Sequence, residues 1–273
     1  MQKLAGREIR RHRPYYCPML KRLYPPRRPQ SVGEVLDTGF NILAASLFKT
    51  LPYGILLVLA SQLVNIYNLA IGYPLQSRLH DVPSILVFVA AYVIQVATGM
   101  AMILRQRAIA RAEPYSTRAE LRHGLRVVPQ IAAVGFLSAL AFVLGLILLV
   151  LPGFYVLVAF SLAAPLVVLD AKGPIEALKF SQHLIRGHWW RTAGIYTITI
   201  VIAIVFYFIA AILVVVALQL VHGADVAITT AAARVLIIAL GAVSFPYITA
   251  TALAVLGDLK VRDAAAADGR TEN

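Results

Sequence analysis

The stretch VVPQIAAVGFLSALAFVLGLILLVLPGFYVLVAFSLAAPLVVL, residues 127–169, holds 43 residues and no Asp, Glu, Lys or Arg. A bilayer's hydrocarbon core is ~30 Å thick, which takes about 20 helical residues at ~1.5 Å each. The run is therefore long enough to cross twice. Leu151, Pro152 and Gly153 interrupt it in the right place. Proline removes a donor and glycine permits a tight reversal, so they read as a short turn between two helices. A β-barrel span would instead alternate apolar and polar residues. Residues 139–150 do not alternate, so the prediction is all-α.

Four further windows, 50–77, 82–104, 192–224 and 235–257, are also free of charge, and each fits one span. The predicted spans are about 50–70, 84–104, 130–150, 153–169, 194–220 and 228–256. Of the 273 residues 60% are apolar and only 14% charged, where soluble domains carry ~25% charged. A water-soluble globule and a disordered chain are both excluded. The chain is a polytopic membrane protein with six transmembrane helices.

Six spans put both termini on one side. The segments 1–49, 105–127, 170–191 and 257–273 then share that side and hold 23 of the 25 Lys and Arg, with Arg78 and Arg234 the exceptions. The positive-inside rule places both ends in the cytoplasm. The first 30 residues hold nine basic residues against the single acid Glu8, with no apolar stretch before residue 50. A cleaved leader or a lipid anchor at Cys17 is not expected. Residues 1–30 read as a basic, Pro-containing cytoplasmic tail, 31–262 as the membrane domain and 263–273 as a flexible tail. Such a tail reads either as a polybasic strip on anionic lipid head groups or as a topology signal alone, and the expected partners of the inner face are those lipids or a membrane protein. Nucleic acid is disfavoured for want of a folded module to read bases.

Three inner segments share a plan. Ser31 to Glu34 and Thr117 to Glu120 have capping-box spacing, and Gly173-Pro174 puts proline where a first helical residue would sit. Each segment continues with an apolar stripe at helical spacing. Leu36, Phe40 and Leu43 form the first stripe, Leu121, Leu125 and Val128 the second, and Leu178, Ile185 and Trp189 the third. The plan is an amphipathic interfacial helix before each transmembrane hairpin. Arg118, Arg122 and Arg126 on the second, with Lys179 and Arg186 on the third, are the candidate anionic-lipid contacts.

The stretch from Leu151-Pro-Gly-Phe-Tyr155 through Pro165, Asp170, Gly173-Pro-Ile-Glu176 and Arg186 to Arg191 resembles the bacterial YciC-like inner-membrane proteins. These are related to the membrane domain of some glycerophosphoryl diester phosphodiesterases. The likeness covers about residues 31–262. It implies a six-helix protein of a bacterial cytoplasmic membrane, and it makes Pro152, Gly153, Pro165, Gly173, Pro174, Glu176 and Trp190 family-motif residues. It implies no phosphodiesterase, because in the fused enzymes the chemistry sits in a separate soluble barrel.

No HExxH, P-loop or Gly-x-Ser-x-Gly pattern occurs. His183 and His188 are five apart, about 140° around a helix, which is wrong for one metal. No catalytic residue, metal or cofactor is therefore assigned. Gln62, Asn65, Gln95 and Arg234 are the candidates for a polar cavity inside the membrane. Pro165 interrupts the fourth span, as transporter helices are interrupted. The expected function is a non-enzymatic membrane protein with an accessory role in envelope or lipid homeostasis. The alternative is a small transporter of a lipid-like or polar solute.

Overall fold

The Glu34 N–H donates to Ser31 Oγ at 3.3 Å, and the Ser31 N–H donates to Glu34 Oε2 at 2.7 Å. This reciprocal cap opens α1 (Val32–Ala70), as the spacing predicts. The computed structural model describes residues 23–72, 81–148, 150–222 and 226–271, without the side chains of 218–222, 226–234, 237–238 and 269–271. The described helices continue with α2 (Val82–Arg111), α3 (Thr117–Leu148), α4 (Val150–Ala159), α5 (Ala163–Asp170), α6 (Pro174–Ile185), α7 (Trp189–His222) and α8 (Val226–Thr271). Six helical stretches are long and apolar enough to span a membrane, with α4 and α5 together making one of them. The fold is all-α and polytopic.

The amphipathic segments precede each hairpin, but only the third is a helix of its own. The first runs on into its span as one 39-residue helix, about 58 Å long and nearly twice the bilayer core. Pro52 lies inside it and removes one backbone bond without ending it. The second segment likewise continues unbroken to Leu148. The third stays separate because Asp170 ends α5, with Ala171 in the left-handed region, and Pro174 opens α6. Gly187, at φ +88°, then turns the chain into α7.

The expected turn at Leu151, Pro152 and Gly153 is corrected. These residues form the first turn of α4, and α3 already stops at Leu148. Proline fits a first helical turn, whose N–H groups have no helical partner. The glycine serves packing instead. A Cβ on Gly145 would lie 2.8 Å from the Gly153 nitrogen, so α3 and α4 meet backbone to backbone.

The interruption of the fourth span falls at 160–162, ahead of Pro165, which sits in the first turn of α5. Ser181 of α6 donates its hydroxyl to the Ala159 carbonyl at 2.7 Å and caps the end of α4.

Helices α1 and α8 lie antiparallel, with Gly39 against Thr251 and Gly54 against Ala242. Pro246 has no N–H for the carbonyl four residues before it, and that carbonyl, of Ala242, faces Gly54. The main core gathers Val35, Ile131, Leu166, Ile185, Ile195 and Leu256 from α1, α3, α5, α6, α7 and α8, with Leu162 from the break between α4 and α5.

Residues 23–30 have no regular structure, as their prolines predict, yet they belong to the folded body and not to a tail. The Leu23 N–H donates to the Ala110 carbonyl at 2.9 Å. Tyr24 is 4% exposed, and its ring lies so close to Gly257 that a Cβ there would come within 2.7 Å of it. At the other terminus α8 continues to Thr271, where a flexible tail was expected from 263. The alanines at 264–267 favour that continuation.

Candidate functional site

Glu120 is drawn inward at the start of α3. The pattern Thr117 to Glu120 predicts a capping box, and the structure corrects this. Arg105 of α2 donates through Nη2 to Glu120 Oε2 at 2.7 Å and through Nε to Oε1 at 2.9 Å. Tyr53 of α1 donates its hydroxyl to Oε2 at 2.7 Å. Thr117 Oγ1 accepts from Arg105 at 2.8 Å, and the Tyr115 ring lies 4.2 Å from the guanidinium. Arg105 and Glu120 are both buried. Spacing alone did not reveal this network, because Thr-x-x-Glu looks the same whichever partner the glutamate finds. The available signal was Arg105, the first charge after the second uncharged window.

With Glu120 inside, the outer face of α3 keeps only cations. Arg118, Arg122 and Arg126 are exposed on successive turns, with Leu125 exposed beside them. A groove of about 730 Å³ lies among Thr117, Arg118, Leu121, Arg122, Leu125 and Arg126. Further along the helix the exposed residues are Phe136, Leu140, Val143, Leu144 and Ile147. One continuous helix surface thus passes from guanidinium to aliphatic between Arg126 and Phe136, a rise of about 15 Å. That is the profile of a helix leaving a head-group layer for hydrocarbon.

Lys179 on α6 is exposed, as the periodicity predicts, and so is Arg186, which follows the end of α6 with extended backbone. Glu176 accepts from Lys172 Nζ at 2.6 Å, which holds its carboxyl below the usual range. No described bond joins the α6 cations to those of α3.

A second polar knot was missed from sequence. Asp258 of α8, fully buried, accepts from Arg191 Nη1 at 2.6 Å, Arg262 Nε at 3.0 Å and the Gln30 N–H at 2.6 Å. The same two arginines donate to the Gln30 carbonyl at 2.6 and 2.7 Å. The signal was present in an aspartate directly after the last uncharged window, with an arginine four residues on. This knot ties the chain before α1 to α7 and α8, and its carboxylate is saturated.

The candidate polar cavity is only partly described. Asn65 donates to Gln62 Oε1 at 3.1 Å and Gln62 to Ser61 Oγ at 3.2 Å, so these bonds stay within α1. Leu57 against Gly99 puts Gln95 of α2, half-buried, about level with Gln62. The Arg234 side chain lies outside the described residues, as do Cys17, Arg78 and His80. Among the described residues no group of three His, Cys, Asp or Glu is placed to hold a metal. Trp190 is 84% exposed, while Trp189 donates to the Tyr155 carbonyl at 3.2 Å. The motif residues Pro152, Gly153, Pro165, Gly173 and Pro174 sit in helix starts and caps.

Fold and site together define a polytopic helical membrane protein with a cationic patch where one of its spanning helices begins. The family model described as "Domain of unknown function (DUF7847)" matches residues 85–256, and the chain belongs to that family. No curated protein and no solved structure matches it.

Proposed function

We propose that the protein is a non-enzymatic integral protein of a bacterial cytoplasmic membrane that engages anionic lipid head groups through a basic cytoplasmic face. Its role is accessory, in envelope or lipid homeostasis. One observation carries this reading: the exposed surface of α3 changes from Arg118, Arg122 and Arg126 to Phe136, Leu140 and Ile147 with no acid on it. Guanidiniums at that depth meet phosphates, and each basic residue near an anionic surface contributes ~1 kcal/mol. Lys179 on α6 and Arg186 just after it add two further exposed cations. The concentration of Lys and Arg on segments sharing a side supports the cytoplasmic orientation. The motif from Leu151 to Arg191, which resembles the YciC-like proteins, falls within the family match and shapes the α4–α6 corner beside this face.

The test is native mass spectrometry of the purified chain in detergent with added phosphatidylglycerol or phosphatidylcholine. Phosphatidylglycerol should bind roughly tenfold or more tightly, and Arg118→Gln, Arg122→Gln and Arg126→Gln together should remove most of the difference. Equal binding of the two lipids by the unaltered chain overturns the proposal. A chain lacking residues 1–22 separates the contribution of the basic tail from that of α3.

A further inference from the structure

On the α2 and α5 side of the arginine face lies a second open cleft, the inner of the two. A cleft of about 490 Å³ lies between α2, the 113–116 connection, α3 and α5, with Arg107, Tyr115, Ser116, His123 and Leu169 in its walls. An open cleft of about 520 Å³, lined by Ser116, Arg118, Ala119, Arg122, His123 and Arg126, adjoins it. Ser116, Ala119 and His123 line both, so the inner cleft meets the arginine-lined one across these three residues.

Two polar atoms of the inner cleft's wall residues lie unpaired just behind its surface. Arg107 Nε and His123 Nε2 are buried and have no partner among the described residues. Buried polar atoms are almost always paired, because leaving one unpaired forfeits its hydration without return. The surrounding charge is positive. Of the two acids in the walls, Glu120 is engaged by Arg105 and Tyr53. Glu113 faces Arg111 at 3.7 Å. Arg107 spends Nη1 on the Leu169 carbonyl at 3.3 Å, which fixes its guanidinium at the wall. Arg118 and Arg122 stand at the mouth with no ion pair among the described residues.

We infer that this cleft binds a phosphate monoester, with Arg107, Ser116 and His123 around the phosphate and Arg118 and Arg122 at its entrance. The lining brings together residues of α2, the connection and α3, so polar side chains stand on more than one side of the space. A monoester offers three unesterified oxygens and nearly two negative charges. A diester offers two oxygens and one charge, which the exposed arginine strip alone can match. The inference rests on the reading of α3 as a head-group face and narrows its ligand class.

The experiment uses the full chain in detergent with three probes: phosphatidic acid, phosphatidylglycerol and soluble glycerol 3-phosphate. Phosphatidic acid should bind about tenfold more tightly than phosphatidylglycerol. His123→Leu and, separately, Ser116→Ala should reduce that preference toward parity, by weakening phosphatidic acid binding more than phosphatidylglycerol binding. Elution profile and thermal unfolding confirm that each variant is folded. Displacement of phosphatidic acid by glycerol 3-phosphate assigns the site to soluble monoesters as well, and no displacement confines it to the lipid. Equal binding of the two lipids by the unaltered chain, or a preference that both variants retain, overturns the monoester site. A chain that fails even to distinguish phosphatidylglycerol from phosphatidylcholine refutes the head-group reading itself, which is a different result.

Discussion

Arg105 and Glu120 meet at 2.7 Å across the α2–α3 connection, with side chains only 7% and 8% exposed. Breaking a buried pair by removing one partner leaves an uncompensated charge and costs about 3–5 kcal/mol, whereas replacing both by apolar residues is often neutral. Glu120→Ala should therefore lower the midpoint of thermal unfolding in detergent strongly. Arg105→Met combined with Glu120→Leu should restore much of the loss. A single variant as stable as the unaltered chain refutes the pairing.

Gly54 packs so closely on α8 that any side chain there would overlap the Ala242 carbonyl oxygen. Gly54→Ala should push α1 and α8 apart and destabilise by about 1–3 kcal/mol. Gly33→Ala is the control, since a Cβ there meets nothing within 4 Å. The same thermal assay reads both, and equal midpoints would contradict the close approach.

Ser181 reaches from α6 to the carbonyl that ends α4, and it is fully buried. Ser181→Ala leaves that carbonyl with one partner fewer, at about 1–3 kcal/mol. Hydrogen–deuterium exchange should then rise around residues 159–163. Protection unchanged there would show that the hydroxyl contributes nothing to the corner.

Tyr24 gives a pH dependence with a definite sign. Burial raises its phenol above the ordinary value, outweighing the opposing pull of the Arg111 guanidinium. The folded chain thus keeps the proton when the unfolded chain has lost it. Its contribution is complete below the unfolded pKa of about 10 and is lost as pH rises through the folded value. Tyr24→Phe should flatten the decline in stability between about pH 9 and 11. Parallel pH profiles for the two proteins would refute the assignment.

The helical class and the six spans were legible because an uncharged run of fixed length has few other uses. The arginine face of α3 was legible too, since Arg118, Arg122 and Arg126 recur every four residues. Misreadings arose where one local pattern serves two geometries. Pro152 marks a turn or a first helical turn equally well, and here it is the latter. Glu120 three residues after Thr117 suits a cap, but Arg105 offered it a buried charge partner instead. The inner cleft had no linear signature at all. Arg107, Ser116 and His123 come from three successive elements, and α5, distant in sequence, supplies the fourth wall.

The antiparallel seat of α8 on α1 also sets an order of assembly. Gly39 and Gly54 are shaped for Thr251 and Ala242, which leave the ribosome about two hundred residues later. Until then the glycine face of α1 has no α8 to pack on. Arrival of the last helix brings Asp258 to Gln30. A chain stopped short of α8 would be inserted, yet it would have nothing to close upon.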